Sequence, residues 1–159
     1  MIYRLWLIIV MIVFSSCRNE ALFNQYNSLP MAWHKDSTIK FNFQIKDTSA
    51  RYNTYIKVRL NDKYMFNNIF VITALENAEG LLLIDTLEYP MASNEGELIG
   101  RKFINIVENK LLHKENFALV KDVKYQLSIK HAMRLLNIEE GLESLEGILD
   151  IGYSVEKRK

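Results

Sequence analysis

The sequence has a single cysteine and few of the residues that interrupt regular structure. Its 159 residues include one Cys, two Pro and six Gly. One cysteine cannot form an intramolecular disulfide, a cysteine-rich zinc site or a Cys-x-x-Cys redox pair. The scarcity of Pro and Gly excludes a low-complexity chain. Because 49% of the residues are hydrophobic and 11% aromatic, we expect a globular domain with an ordinary core.

An excess of charge of either sign is also missing. The sequence has 20 Lys and Arg against 19 Asp and Glu. Nucleic-acid-binding domains usually carry a clear basic excess. We therefore expect no nucleic-acid partner.

Apolar residues are concentrated at the start of the chain. Arg4 is the only charged residue before Arg18, and residues 5–14 are an uninterrupted apolar run. A membrane-spanning helix needs about 20 such residues, so the run is typical of a secretory signal. Two small residues, Ser15 and Ser16, then precede Cys17, as in a bacterial lipoprotein cleavage site. We predict that residues 1–16 are a signal peptide and that Cys17 is acylated; the alternative is an incidental thiol.

Cleavage before Cys17 changes the charge and the organisation of the chain. It removes Arg4 and no acidic residue, which leaves 19 basic and 19 acidic residues and a formal net charge of zero. Because a neutral chain has no net electrostatic attraction to anionic lipids, we predict that the acyl chains alone attach the protein to the membrane. We expect residues 17–30 to be the acylated N-terminus and a tether, and residues 31–159 to be a single domain.

Apolar and polar residues alternate along several segments of that domain, as half-buried strands require. A β-branched run and a segment ending at Pro90, which marks a sheet edge or a strand end, add two further strands. The predicted strands cover residues 39–45, 54–60, 69–75, 81–89, 123–133 and 149–155. Residues 103–112 fit an irregular or weakly paired strand, and residues 139–147 a loop or single helical turn. These patterns predict an all-β fold, an antiparallel β-sandwich of about seven to eight strands, immunoglobulin-like or jelly-roll-like.

Motifs for metal binding and nucleophilic catalysis are missing. No Gly-x-Ser-x-Gly elbow occurs, and His34, His113 and His131 lie far apart without metal-ligand spacing. We expect no metal, no cofactor and no catalytic residue, and hence no enzyme.

A cluster of carboxylates leaves one enzymatic hypothesis open. Asp85 and Glu88 fall on one predicted strand, and Glu95 and Glu97 follow in the next loop. Paired carboxylates hydrolyse glycosidic bonds when they flank a bound sugar. A solvated strand face explains these residues as well, so an envelope hydrolase using Asp85, Glu88 or Glu97 ranks third among the hypotheses.

Aromatic residues at strand ends or nominally outward positions are stronger candidates for binding. They are Trp33, Tyr52, Tyr55, Tyr64, Phe66 and Tyr89. Such rings stack on sugars or anchor protein partners, although they can also cap the ends of a core. We take Trp33, Tyr52, Tyr64 and Tyr89 as candidate partner or ligand contacts, with Trp33 first.

Several short motifs follow one another in a recognisable order behind the lipoprotein signal. They are Leu29-Pro30, Trp33-x-Lys35-Asp36, Tyr52-Asn53 leading to Arg59, Tyr64-x-Phe66-Asn67-Asn68 before Phe70, residues 85–92 (Asp-Thr-Leu-Glu-Tyr-x-Met-Ala), Gly96 to Gly100, Tyr125, Met133-Arg134 and Gly147-Ile148-x-Asp150-x-Gly152-x-x-Val155-Glu156-Lys157. In these motifs the chain resembles the GldH family of gliding-motility lipoproteins from Bacteroidetes.

The resemblance implies a non-catalytic, membrane-anchored accessory lipoprotein of the gliding apparatus, which is linked to secretion of cell-surface adhesins. Its expected partners are the membrane and other gliding or secretion proteins of the envelope. Only Cys17 carries over with a defined chemical role, as the lipidation site. The alternative is a glycan-binding surface lipoprotein that uses the aromatics around Trp33. Residues 18–20 lack the dense acidic run that resembles a surface-export signal, which favours a periplasm-facing location over the cell surface.

Overall fold

The computed structural model describes residues 21–46, 51–135 and 140–158. Within these ranges the chain forms eleven β-strands and no helix, so they include no helix that could span a membrane. The strands are β1 Ala21–Ser28, β2 Ala32–His34, β3 Ile39–Gln44, β4 Arg51–Leu60, β5 Asn68–Asn77, β6 Gly80–Pro90, β7 Arg101–Phe103, β8 Ile106–Ala118, β9 Lys124–His131, β10 Ser144–Glu146 and β11 Ile148–Lys157.

The strands form two larger sheets and one small one. The five-stranded sheet has the order β1-β11-β4-β8-β7, and the four-stranded sheet the order β3-β9-β5-β6. A two-stranded sheet pairs β2 with β10. Neighbouring strands are antiparallel throughout. The predicted all-β fold of packed antiparallel sheets is confirmed.

Alternation along the strands places the core between the two larger sheets. In β3, Ile39, Phe41 and Phe43 are buried while the intervening residues are exposed. The rings of Phe41 and Phe43 lie 6.1 and 5.6 Å from the ring of Tyr153 on β11, which joins the two sheets. Aromatic rings at these separations contribute beyond the area that they bury. β6, which ends at Pro90, is an edge strand, as the proline indicated.

Strand β1 corrects the predicted tether, which was expected to continue to residue 30. Residues Ala21–Ser28 pair with β11 from Ala21 opposite Glu156 to Ser28 opposite Asp150. The strand escaped prediction because its burial does not alternate cleanly. The folded domain therefore begins at least ten residues earlier than expected.

Residues 103–112 are not a weakly paired strand. A turn at Ile104 and Asn105 separates β7 from β8, and β8 pairs with β4 from Val107 opposite Leu60 to Ala118 opposite Arg51. The buried positions of β8 include the polar residues Asn109 and His113, so apolar residues do not alternate strictly along the strand.

The acidic segment 139–147, of which the structure describes residues 140–147, is neither a simple loop nor a helical turn in its described part. Its residues Ser144–Glu146 form β10, which pairs with β2 so that Leu145 lies opposite Trp33. Both strands are three residues long, which is too short to give a periodic signal. Together with β1 and β7, they bring the count of described strands above the predicted seven to eight.

The two ends of the sandwich, called the N-terminal end and the far end, are formed by different strand ends and loops. The N-terminal end is where β1 begins: Ala21 pairs near the end of β11, Arg51 starts β4, and the β8–β9 loop (119–123) hydrogen-bonds to β3 through the Asp122 amide and the Ile45 carbonyl. At the far end, Ser28 closes β1, Leu60 closes β4, and the β7–β8 turn lies beside them. Ten residues of β4 connect the two ends, a span of about 30 Å.

Candidate functional site

Trp33, the first candidate contact, is a core residue and not an exposed one. Its exposed fraction is 0%. The indole Nε1 donates a hydrogen bond of 3.0 Å to the Ser37 carbonyl, and the ring meets the edge of His131 at 5.4 Å. The expectation that Trp33 lies on the surface is therefore wrong, because the pairing of β2 with β10 covers it. A ring with no exposed face offers no platform for a sugar.

The three tyrosines are also less accessible than expected. Tyr52 is fully buried on the inward face of β4, and Tyr64 is buried with its hydroxyl donating to the Asn68 carbonyl. Tyr89 is half-buried and donates to the Leu112 carbonyl at 2.7 Å. Burial raises the pKa of Tyr89 to about 12. Outward positioning was wrong for Tyr52 and Tyr64, which act as core aromatics.

The other two aromatics of the prediction lie at the rim of the core. Tyr55 is partly exposed, with the Lys110 ammonium 4.1 Å from its ring centre. Phe66 packs edge-on against Tyr64 at 5.8 Å. Each ring already has a partner within the domain, so neither is an unoccupied stacking surface.

The carboxylates of the hydrolase hypothesis do not converge. Asp85 and Glu88 are three residues apart on one strand, so their side chains lie on opposite faces. Asp85 points toward the five-stranded sheet and binds Lys114 at 2.9 Å, whereas Glu88 is exposed and accepts a hydrogen bond from Asn68. Glu97 contacts Lys102 at the far end. Asp85 and Glu88 cannot flank one bound sugar.

A buried polar cluster around His113 links the two larger sheets. His113 Nδ1 lies 3.2 Å from Thr54 Oγ1 and 3.4 Å from the Tyr153 hydroxyl. His113 Nε2 lies 3.3 Å from Thr73 Oγ1 on the opposite sheet and 3.7 Å from Asp85 Oδ2. This arrangement of hydroxyl, imidazole and carboxylate resembles catalytic triads in composition. However, the His113 side chain is only 1% exposed, and its contacts with Thr54 and Thr73 join the two sheets.

Acid is expected to weaken the fold through this cluster. Burial lowers the pKa of His113 from 6.5 to about 4, against the opposing pull of Asp85, with Lys114 adding to the decrease. Below pH 6.5 the unfolded chain takes up a proton that the folded chain does not take up until about pH 4, so stability falls as the pH falls through that window. A gap of this size corresponds to about 3 kcal/mol of unfolding free energy. Denaturant unfolding at pH 7 and pH 4.5 measures the loss, which should be smaller in His113→Gln.

The pKa of His113 can also be measured directly in the unmodified protein. NMR titration of its imidazole should give a value well below that of an ordinary histidine. A value near 6.5 would contradict the burial that the cluster requires. Burial also lowers the pKa of His131. The loss of stability in acid that results from His131 occurs both in the wild type and in His113→Gln, so the difference between the two proteins reports on His113.

Metal binding finds no support in the described residues. His34, His113 and His131 lie on different elements, and none of the described residues form a group of three or more His, Cys, Asp or Glu side chains that could hold an ion.

A polar network on the outer face of the five-stranded sheet was not foreseen from the sequence. Arg59 Nε donates to Glu108 at 2.7 Å, and its guanidinium lies 4.0 Å from the ring centre of Tyr26. The Tyr26 hydroxyl donates to the same carboxylate at 3.0 Å. The Tyr26 ring covers Gly152, where a Cβ would lie 2.6 Å from ring carbon Cδ1. These contacts fix β1 against β11, β4 and β8.

Exposed apolar residues gather at the far end around an open concavity of about 750 Å³, named here the far-end groove. Ile104, at the β7–β8 turn, is fully exposed, and Phe103 is about half exposed. The apolar lining continues through Leu98 and Leu149, with charged residues at the rim: Asp62, Glu97 and Lys102. An exposed apolar surface ringed by polar residues is typical of a protein-contact site.

Two methionines near this end are also exposed. Met31 lies between β1 and β2 and is 88% exposed, and Met65 lies between β4 and β5 and is 86% exposed. Methionine adapts its shape readily to a partner and is frequent at adaptable contact surfaces. The exposed methionines and the far-end groove together are what sequence reasoning missed, because alternation identifies buried faces and not surface patches.

The predicted lipidation site, Cys17, lies outside the described residues, as does the predicted signal peptide, residues 1–16. The first described residue, Ala21, is four positions after Cys17.

Fold and surface together define an antiparallel β-sandwich with a polar cluster buried in its hydrophobic core and exposed apolar residues at one end. The sequence pattern of the GldH lipoprotein family matches residues 21–155. The chain therefore belongs to the GldH lipoprotein family, and the resemblance drawn from its motifs is confirmed.

Two relatives match over nearly their whole length. The gliding motility lipoprotein GldH of Flavobacterium johnsoniae is 40% identical over 152 residues, which cover 96% of this chain and 94% of the relative. The gliding motility lipoprotein GldH homolog of Christiangramia forsetii is 38% identical over 150 residues, which cover 94% of this chain and 92% of the relative.

Among solved structures, dimeric latent PorU from Porphyromonas gingivalis aligns with 89% of this chain and 14% of its own chain at 11% identity. Its TM-score of 0.35 carries no conclusion.

Proposed function

We propose that the protein is an envelope lipoprotein, acylated on Cys17, that serves as a non-catalytic accessory component of gliding or adhesin secretion. Membership in the GldH family and the gliding motility lipoproteins among its relatives support the role. The apolar run at residues 5–14 and the small residues before Cys17 support the anchor. Two or three acyl chains hold a protein durably on a membrane, whereas one does not.

The protein acts by contacting other proteins, and the far-end groove is the observation that carries this proposal. A fully exposed isoleucine beside a half-exposed phenylalanine leaves apolar area in water that a partner would cover. The buried His113 cluster and the divergent carboxylates support a non-catalytic role. The apolar lining beside the isoleucine and the phenylalanine forms a central apolar patch within a polar rim. Protein interfaces usually have this arrangement, and the central residues contribute most of the binding energy.

A periplasm-facing leaflet is part of the proposal. Cys17 is followed by Arg18, Asn19 and Glu20, which hold one basic and one acidic residue. No dense acidic run follows the acylated residue, so the chain lacks the feature that resembles a surface-export signal.

Substituting the most exposed residue of the groove tests the contact proposal. We expect Ile104→Asp to weaken partner binding by about 2 kcal/mol, roughly a 30-fold loss of affinity, because a charge replaces an apolar contact. Envelope proteins crosslinked to and purified with the wild type should be depleted when the variant is used.

Ile84→Asp is the matched control, because Ile84 is 58% exposed on edge strand β6, away from the groove. Both variants should keep the stability of the wild type within about 0.5 kcal/mol, since both residues are at the surface. Equal recovery of partners with Ile104→Asp and wild type, or equal loss in both variants, would count against the groove.

A further inference from the structure

The domain has no net charge after the predicted cleavage, but its charges are not evenly distributed. Five exposed cations lie at the N-terminal end, on or beside the elements that begin or end there: Lys46, Arg51, Lys121, Lys124 and Arg158. Asp122, in the same loop, lies 3.9 Å from Lys121, and Glu156 is paired with Lys110. The other acidic residues of this end within the described part of the chain are Glu76 and Glu79, at the β5–β6 hairpin, and Glu115 on β8.

The far end carries the opposite bias. Its described acidic residues are Asp36, Asp62, Glu95, Glu97, Glu140, Glu143 and Glu146, against the basic residues Lys35, Lys63, Arg101, Lys102 and Arg134. With Lys110 counted, the described residues named for the N-terminal end are six basic and five acidic, whereas those of the far end are five basic and seven acidic. The domain therefore has a weak dipole with its positive end where β1 begins.

The anchor fixes which end faces the membrane. This step rests on the proposed acylation of Cys17. Ala21 is four positions after Cys17, and a fully extended chain covers about 14 Å over that distance. Ala21 is the first residue of a strand that pairs with β11 and is held by the Tyr26 network. The N-terminal end is thus within about 14 Å of the bilayer, and the far-end groove lies about 30 Å further out.

An exposed apolar residue is found among the cations at this end. Val120, in the β8–β9 loop, is 63% exposed. Its amide donates to the Tyr125 hydroxyl at 2.8 Å, and the Asp122 amide donates to the Ile45 carbonyl at 2.8 Å, so the loop is held in place. Leu22, beside the point where β1 begins, is 43% exposed. Apolar residues bordered by lysine and arginine are the usual composition of a surface that lies on a lipid headgroup layer.

We propose that the N-terminal end is a membrane-contact surface that lies on a phospholipid bilayer. Lys46, Arg51, Lys121, Lys124 and Arg158 face the headgroup phosphates, and Val120 reaches the interface. The acyl chains give attachment, and this surface gives orientation, which directs the far-end groove away from the membrane. The net charge of zero led us to expect that the acyl chains alone contact the membrane. In this proposal the cations of the N-terminal end add a local electrostatic attraction to the headgroups.

Lipid-to-protein quenching tests the orientation. The full lipoprotein is reconstituted into vesicles of phosphatidylethanolamine and phosphatidylglycerol that contain a headgroup-nitroxide lipid. Val120→Cys or Ile104→Cys provides one fluorophore site, because acylated Cys17 has no free thiol. The label at Val120 should be quenched several-fold more than the label at Ile104. Equal quenching at both sites, or stronger quenching at Ile104, would overturn the proposal.

Charge reversal tests the role of the cations. Lys121→Glu combined with Lys124→Glu should reduce quenching at Val120 while the protein stays on the vesicles, and raising the salt concentration should act in the same direction. Lys63→Glu with Lys102→Glu at the far end is the matched control and should leave quenching unchanged. Unchanged quenching in the first pair would overturn the headgroup contact. If Cys17 is not acylated, its thiol reacts with the label and the protein leaves the vesicle fraction, an outcome that overturns the anchor proposal instead.

Discussion

Trp33→Ala is expected to lower the unfolding free energy by about 3 to 5 kcal/mol, the range for deleting a buried large aromatic side chain. Trp33 has no exposed area, donates to the Ser37 carbonyl and contacts the edge of His131. Its removal leaves a cavity beneath the pairing of β2 with β10. For a domain of this size the melting temperature should fall by roughly 10 °C. Thermal unfolding followed by circular dichroism measures the shift.

Met31→Ala provides the matched control, two positions earlier in the chain. Met31 is 88% exposed, so its truncation should change stability by about 0.5 kcal/mol at most. If Trp33→Ala were as stable as Met31→Ala but lost binding to a glycan or protein, Trp33 would be a contact residue and the buried position would be wrong.

Cys17→Ala is expected to release the protein from the membrane completely. The thiol is the acyl acceptor in the proposed lipoprotein, and the variant has none. Without acyl chains, a few exposed cations and one exposed valine do not hold a protein durably on a bilayer, since stable anchoring requires chains whose buried CH₂ groups each contribute about 0.8 kcal/mol. Labelled palmitate should be incorporated into the wild type and not into the variant.

Ser28→Ala controls for a general effect of substitution, because Ser28 lies in β1 and hydrogen-bonds only to Asp150 at the exposed far end of that strand. This variant should incorporate palmitate and sediment with membranes like the wild type. Palmitate labelling that persists in Cys17→Ala would show that the acyl group is attached elsewhere.

The period-two segments of the sequence located most of the sandwich. β3, β4 and β9 bury alternate residues, so an apolar pattern with a period of two is enough to reveal them. Pro90 marked the end of an edge strand because it cannot donate to a strand ladder.

The missed strands are those whose stability comes from distant partners. β2 and β10 are three residues each and are separated by more than 100 residues, yet their pairing buries Trp33. β1 is defined by its backbone pairing with the last strand, which no local pattern shows. Tyr26 and Glu108, 82 residues apart, meet on one sheet face for the same reason.

The candidate site was predicted less well than the fold. Residue type suggested that aromatics would mark the contact surface, but large aromatic side chains gain the most from burial, and five of the six pack in or against the core. The exposed apolar surface centres instead on the β7–β8 turn, where Ile104 follows Phe103, and only the three-dimensional arrangement brings Ile104 and Leu149 to one groove.

The mass of the intact protein extracted from its own membranes tests the central claim most directly. A protein held at the bilayer through Cys17 should have the mass of residues 17–159 plus a glyceryl group and two or three acyl chains. Fragmentation should place the added mass on the N-terminal cysteine. A chain that retains residues 1–16, or one that begins near Cys17 with a free thiol, would contradict the account.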